Sequence, residues 1–390
     1  MLTGLERLLA DPSRLRGQRV GVCCNHTAVD RNLDHLIDRL VGAGIPIRRV
    51  FAPEHGLHAT AQDMISVDGE DGATAIVSLY GKTAASLRPD PALVQDLDVV
   101  LFDIQDIGSR YYTYQATLGY FMEVAATTGT KIIVLDRPNP IDGISIEGNI
   151  VRKGYESFVS AYPLAVRHAM TMGELGRYFR EILGIRCDIE VVTCDGWDAT
   201  RRYDATGVPW VYPSPNMPTL ETAVLYPGMC LIEGTNLSEG RGTTRPFHLV
   251  GAPFFDAAEL TRLCRQGAVD AGLEGAAFRA ATFEPRFQKF AGQVCHGIEV
   301  TVTDADRLES FLLGLVVLEA ALRAAPDQFK WRTETYEFVD VPIAIDLLCG
   351  NSEARVGLES RIRPRDLLDG WKPELEPWKE ARESVLLYPR

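Results

Sequence analysis

The sequence predicts an α/β protein: a Rossmann-like, largely parallel sheet domain with a smaller mixed α/β carboxy-terminal domain. Two observations carry this reading. Short apolar runs recur through the first half, as strands covered on both faces require, and each ends abruptly in polar residues. Residues 19–24 run into Asn25-His26-Thr27, 47–51 into Pro53-Glu54-His55-Gly56, and 75–79 into Tyr80-Gly81. Residues 98–102 run into Asp103-Ile104-Gln105-Asp106, and 131–135 into Asp136-Arg137-Pro138-Asn139-Pro140. Ligands of open parallel sheets bind beyond the carboxyl ends of the strands, so five polar ends on one sheet define a candidate site.

In chain order, residues 4–12 read as a short helix, and the first strand starts after Gly17-Gln18. Residues 30–41 carry Leu33, Leu36, Ile37 and Leu40 at helical spacing, which predicts the crossover helix of a βαβ unit. Gly42-Ala43-Gly44 follows that helix and reads as its terminating turn. No G-x-G-x-x-G follows a predicted strand, so no nicotinamide or other cofactor is expected. Residues 57–74 form a polar loop leaving directly from Glu54-His55-Gly56, long enough to serve as a lid. Residues 114–128 predict the helix after the central strand, with Leu118, Phe121, Met122 and Ala125 inward. Thr171-Met172-Gly173-Glu174 is a capping box that opens a helix to about Ile182, which makes Glu174 structural. Residues 189–193 give a further strand.

Residues 209–246 are rich in Pro and Gly and read as ordered loops packed over the site, held by Trp210, Tyr212 and Met217. The domain boundary is placed near residue 230, dividing the chain into 1–230 and 231–390. Beyond it the pattern predicts helix 256–267, strands 279–284 and 297–303, helix 305–323, strand 337–347 and a final helix 369–384.

A chain of 390 residues exceeds the size at which one core usually stops growing, in keeping with two domains. Its net charge of −13 repels phosphate backbones, which argues against nucleic acid as a partner. Eight cysteines occur without a C-x-x-C pair and read as structural thiols, not zinc ligands. No apolar run reaches the ~18 residues of a membrane span, and the amino terminus lacks a signal pattern. A cytoplasmic protein with no membrane partner is expected.

Glu54, at a strand end half covered by loops, is the strongest candidate for proton transfer, with His55 orienting it or binding substrate. Asp103, Gln105 and Asp106 suit a base or nucleophile, sugar hydroxyls or a divalent cation; the alternative is acids that fix Arg110 or Arg137. Arg137 and Asn139 lie on a Pro-braced turn suited to anion or sugar recognition. Glu233, Asn236, Ser238, Glu239 and Arg241 share one Gly-bracketed loop, where an Arg suits a ligand carboxylate. Asn25, Tyr80, Arg110 and Asn216 join the candidate binding set. Tyr112, Tyr114, Trp210 and Tyr212 offer aromatic faces for a sugar or for core packing. Neither Gly-x-Ser-x-Gly nor a P-loop occurs.

These strings, together with Ser78-Leu79-Tyr80-Gly81, Tyr112-Thr113-Tyr114, residues 170–175, 213–218 and 233–244, and the closing Leu386-Leu387-Tyr388, resemble the NamZ-type exo-β-N-acetylmuramidases nearly end to end. The family was long catalogued as a domain of unknown function. The resemblance implies a cleft between two domains, release of N-acetylmuramic acid from the non-reducing end of peptidoglycan-derived glycans, and a catalytic glutamate at Glu54. It departs in having Leu57-His58-Ala59-Thr60 where members tend to carry Arg-Gly. The expectation is a hydrolase with Glu54 as acid and Asp103 or Asp106 as partner. Retaining, inverting and substrate-assisted routes all stay open. The rivals are a non-catalytic sugar-binding protein and a metal-dependent hydrolase using Asp103, Asp106 and His55.

Overall fold

A computed structural model describes residues 1–54, 56–57, 70–71, 74–79, 81 and 83–390. The expected strands form β1 (Val20–Cys24), β2 (Ile47–Ala52), β4 (Thr74–Ser78), β5 (Val99–Asp103) and β6 (Lys131–Leu135), and a two-residue β3 (Glu70–Asp71) forms within the stretch expected as a loop. The hairpin β7 (Glu147–Ile150) and β8 (Ala165–Arg167) stands apart, and β9 (Ile189–Val192) rejoins the main sheet. The sheet order is β3-β4-β2-β1-β5-β6-β9; all neighbours pair in parallel except the short β3 against β4. The chain moves outward from β1 through β2 to β4, then restarts at β5 on the other side of β1. A topological switch point therefore lies between β1 and β5, where Cys24 is in register with Asp103.

Alternation explains why these runs are apolar throughout. Cys23, Val100, Phe102, Ile132 and Val134 face one layer with Leu118, Phe121 and Leu175. Val20, Val22, Val99, Leu101, Ile133 and Leu135 face the other with Leu5, Leu8, Leu36 and Leu40. The helix over 114–128 forms as expected, Tyr114–Thr128, ended by Gly129 at φ 76. The Thr171 capping box opens the helix Met172–Glu181.

Three expectations are corrected. The crossover helix covers only Leu36–Gly42, because Asp30 Oδ1 accepts from the backbone N–H groups of Asn32 and Asp34 and holds a turn in which Leu33 is exposed at φ 67. Within 209–246, Leu220–Met229 is a helix despite Pro227; it is capped by Thr219 and packs on the helix Ser310–Ala324 where Gly228 meets Gly314. The strand expected over 337–347 is instead a tight turn at Tyr336–Val339 followed by the helix Ala344–Cys349. Its cause is positive φ at both Glu337 and Phe338.

The second sheet, β10 (Leu249–Ala252), β11 (Ala276–Phe283) and β12 (Cys295–Val302), is antiparallel in the order β10-β12-β11; the helix Ala257–Ala271 packs on it, Ser310–Ala324 packs on that helix, and Pro364–Glu383 packs on Ser310–Ala324 and on β7. One continuous buried cluster joins Phe51, Phe102 and Phe121 to Leu225, Phe247, Phe311 and Trp378. All eight cysteines are buried free thiols. Among the described residues no helix is long and apolar enough to cross a membrane.

Candidate active site

Beyond the carboxyl ends of β2 and β5 lies a narrow cavity of about 50 Å³. Glu54 enters it two residues after β2, on a turn closed by the Gly56 N–H on the Pro53 carbonyl, with Gly56 at φ 78. The Thr113 hydroxyl donates to Glu54 Oε2 at 2.5 Å. Thr113 stands at the N-cap of the helix Tyr114–Thr128 but makes no capping bond with its side chain; its hydroxyl serves Glu54 instead.

Aromatic residues line the same wall. The Tyr112 ring meets Tyr114 and Tyr226 edge-on, at 5.2 and 5.5 Å between centroids. Burial pushes the Tyr112 phenol well above its ordinary pKa, with the nearby Asp106 and Glu54 charges adding to the rise. The Tyr114 hydroxyl donates to the Pro213 carbonyl at 2.8 Å and accepts from Asn25 Nδ2 at 3.0 Å. Asn25 Oδ1 in turn accepts from Thr27. Asn25 thus positions Tyr114 from behind and does not line the cavity.

The other wall comes from Ser214, Asn216 and the later half of the chain. Arg241 Nη2 donates to Glu233 Oε1 at 2.5 Å, and the Tyr336 hydroxyl donates to Glu233 Oε2 at 2.9 Å. Behind them Glu239 lies 3.2 Å from Lys289 Nζ and 3.6 Å from Arg241 Nε. Burial opposes the Glu239 charge, but Lys289 and Arg241 hold its pKa below the usual range. Among the described residues, Arg241 is the only cation lining the cavity.

Comparisons with known proteins agree with one another. The families described as exo-beta-N-acetylmuramidase NamZ, N-terminal and C-terminal, match residues 20–221 and 224–388. The chain belongs to the NamZ family. It is 39% identical to the peptidoglycan beta-N-acetylmuramidase NamZ of Bacillus subtilis, over 99% of this chain and 91% of that protein. Crystal structures of two DUF1343 family proteins from Bacteroides fragilis are also similar. One superposes with TM-score 0.87 at 30% identity over 99% of this chain and 98% of its own. The other gives 0.76 at 27% identity over 100% and 99%.

In this NamZ-family chain the cavity gathers Glu54, Tyr112, Asn216, Glu233 and Arg241 from the expected set. Several other candidates sit elsewhere. Asp103 is fully buried and takes two bonds from Arg137, Nε to Oδ1 at 2.5 Å and Nη2 to Oδ2 at 3.0 Å. That pair neutralises the buried end of β5, so neither partner is presented to a ligand. Arg110 is fully buried and donates to the carbonyls of Asn149, Leu164 and Leu348, while burial lowers its pKa to about 10. It fastens the core. Gln105 donates to the Asp106 and Pro138 carbonyls, and Asn139 joins the Met170 carbonyl to the Ile141 N–H. Asn236 clamps Gln328 and Lys330.

Asp106 is buried next to the site without lining it. Its Oδ2 accepts from the Gly108 N–H at 2.8 Å and lies 3.8 Å from His168 Nε2. Burial raises its pKa to about 7 and lowers that of His168 to about 3, so the imidazole is neutral. His55 and Tyr80, and most of the expected lid, lie outside the described residues. Among the described residues no group of three or more His, Cys, Asp or Glu is arranged to hold a metal ion. Thr113, Tyr336 and Glu337 line the cavity without having been singled out in the sequence. The Tyr112-Thr113-Tyr114 string was the available signal for Thr113.

Proposed function

We propose that this chain is a glycoside hydrolase that releases a terminal N-acetylmuramic acid residue from the non-reducing end of peptidoglycan-derived glycans, with Glu54 as the general acid. Membership of the NamZ family and the 39% identity to a peptidoglycan beta-N-acetylmuramidase support the reaction class. The observation that carries the substrate is the pairing of Glu54 and Arg241 in one cavity. Muramic acid differs from glucosamine by a lactyl carboxylate, and a guanidinium already oriented by Glu233 pairs with such a group at little further entropic cost. Tyr112 and Tyr226 supply apolar surface for a pyranose face.

In this reading the first part of the chain brings the acid and the second brings the recognition of the lactyl group, with a division near residue 230. Glu54 protonates the glycosidic oxygen as the C1–O bond breaks, and Thr113 fixes the carboxyl so that one oxygen is aimed. The test is turnover of chromogenic N-acetylmuramic acid and N-acetylglucosamine β-glycosides by the wild type and Glu54→Gln. Cleavage of the muramic substrate that disappears in the variant is expected. Turnover that survives the substitution removes Glu54 from this role, and a wild type that binds the sugar without cleaving it favours a binding protein.

A further inference from the structure

An acid that protonates the leaving oxygen completes half of a hydrolysis; the other half is a group that takes a proton from water. The two carboxylates expected for it do not line the cavity: Asp103 is held by Arg137, and Asp106 lies buried outside the lining. Glu239 does not line the cavity, and Glu233 orients the Arg241 that reads the lactyl group. We propose that Glu337 is the catalytic base, an inference that rests on the glycosidase reading above.

Glu337 lines the same cavity as Glu54 and is 7% exposed. It is brought there by an unusual piece of backbone. The Tyr336 and Val339 N–H and carbonyl groups pair at 2.9 Å in both directions, closing a hairpin of two residues. Both of those residues, Glu337 at φ 48 and Phe338 at φ 65, are left-handed. Such loops normally use Asn-Gly or Asp-Gly, because a side chain disfavours that conformation. A Glu-Phe pair keeps it only where the surroundings enforce it, and strain of this kind gathers at functional sites.

The turn is tied to the Arg241 loop. The Tyr336 hydroxyl is bonded to Glu233, the carboxylate that orients Arg241. Asn236, in the Arg241 loop, clamps the chain just before the turn through Gln328 and Lys330, and Thr235 bridges to Trp331. The turn carrying Glu337 is thereby built onto the loop that carries Arg241, while Glu54 arrives from the main sheet. Two acidic residues thus line one cavity from different elements.

In the step assigned, a water oxygen bonds to C1 as its proton passes to Glu337, the C1–O bond breaks, and the Glu54 proton goes to the departing oxygen. Exchange with solvent then returns both carboxyls to their starting states. A β-glycoside yields the α-hemiacetal. The test combines wild-type product analysis by proton NMR with the pH profiles of Glu337→Gln and Glu337→Asp. The first-formed sugar is expected to be the α-anomer. Glu337→Gln is expected to lower kcat about 10³-fold, with KM within a few-fold and without the acidic limb of the wild-type profile; Glu337→Asp keeps that limb at reduced kcat. A first-formed β-anomer, an acidic limb that persists in Glu337→Gln, or activity within tenfold of wild type each overturns the assignment. A wild type inactive on muramic glycosides removes the glycosidase reading and Glu337 with it, whereas active wild type with active Glu337→Gln removes Glu337 alone.

Discussion

Thr113 gives its hydroxyl to Glu54 and not to the helix it begins. The bond holds the acid in one rotamer, and misplacing a reacting group by about 1 Å can cost about 100-fold in rate. Thr113→Val keeps the shape and removes the donor, so kcat should fall about 10- to 100-fold with little change in KM, while Thr113→Ser keeps most activity. Steady-state kinetics with a thermal melt of each variant decides it. A loss matched by equal loss from the serine variant would mean that packing, not the hydroxyl, matters.

Arg241 provides a test of substrate choice. Arg241→Gln leaves Glu233 without its cation and the lactyl group without its partner, so kcat/KM on the muramic glycoside should drop by about 100-fold, within the range of a charge-assisted bond. The glucosamine glycoside lacks the lactyl group and should lose about fivefold or less. Equal losses on both substrates would show Arg241 to be a support of the cavity wall and not a reader of the carboxylate.

The sheet was legible because strands β1, β5 and β6 are buried on both faces and so read as unbroken apolar runs ending in polar residues. The helix Tyr114–Thr128 was legible for the same reason, its inward residues recurring at helical spacing. The site was legible only in part. Asp103 and Arg137 were both visible as candidates, but nothing along the chain says that two residues 34 apart neutralise each other. Pro227 concealed a helix that tertiary packing stabilises. The apolar residues after Glu337 read as a strand, since a two-residue left-handed loop usually announces itself with Gly or Asn and this one does not.

Packing between the helices Leu220–Met229 and Ser310–Ala324 depends on Gly228. A Cβ there would stand 1.7 Å from the Ser310 carbonyl oxygen, and one on Gly314 would stand 2.2 Å from the Gly228 carbonyl oxygen. Neither backbone can retreat without opening the core. Gly228→Ala should cost roughly 3 kcal/mol or more in urea unfolding, and the double substitution with Gly314→Ala should cost less than the sum, since the first already parts the helices.

Asp106 makes stability depend on pH in a definite direction. Its pKa is raised from 3.8 to about 7 by burial, so between those values the folded state holds a proton that the unfolded chain has lost. The stability it contributes is therefore full below about pH 4 and is lost as pH rises through about 7. Asp106→Asn is neutral throughout and can keep the bond from the Gly108 N–H. Denaturation from pH 5 to pH 8 should show the variant gaining on wild type by roughly 1–3 kcal/mol, each pKa unit being worth about 1.4 kcal/mol. A gap independent of pH would show that the carboxyl does not change its proton over this range.

Glu337→Gly separates strain from function. A left-handed side chain costs roughly 1–2 kcal/mol, and glycine relieves it while adding roughly 0.5–1 kcal/mol of unfolded-state entropy. The net change should lie between about zero and about 1.5 kcal/mol of stabilisation, because glycine meets the φ of 48 without strain. Activity, by contrast, should vanish with the carboxyl. A variant at least as stable as wild type and inactive fits a residue kept in a costly conformation for its chemistry. Destabilisation beyond about 1 kcal/mol would instead make Glu337 a packing residue of the turn, and differential scanning calorimetry beside kcat measured on one preparation distinguishes the two.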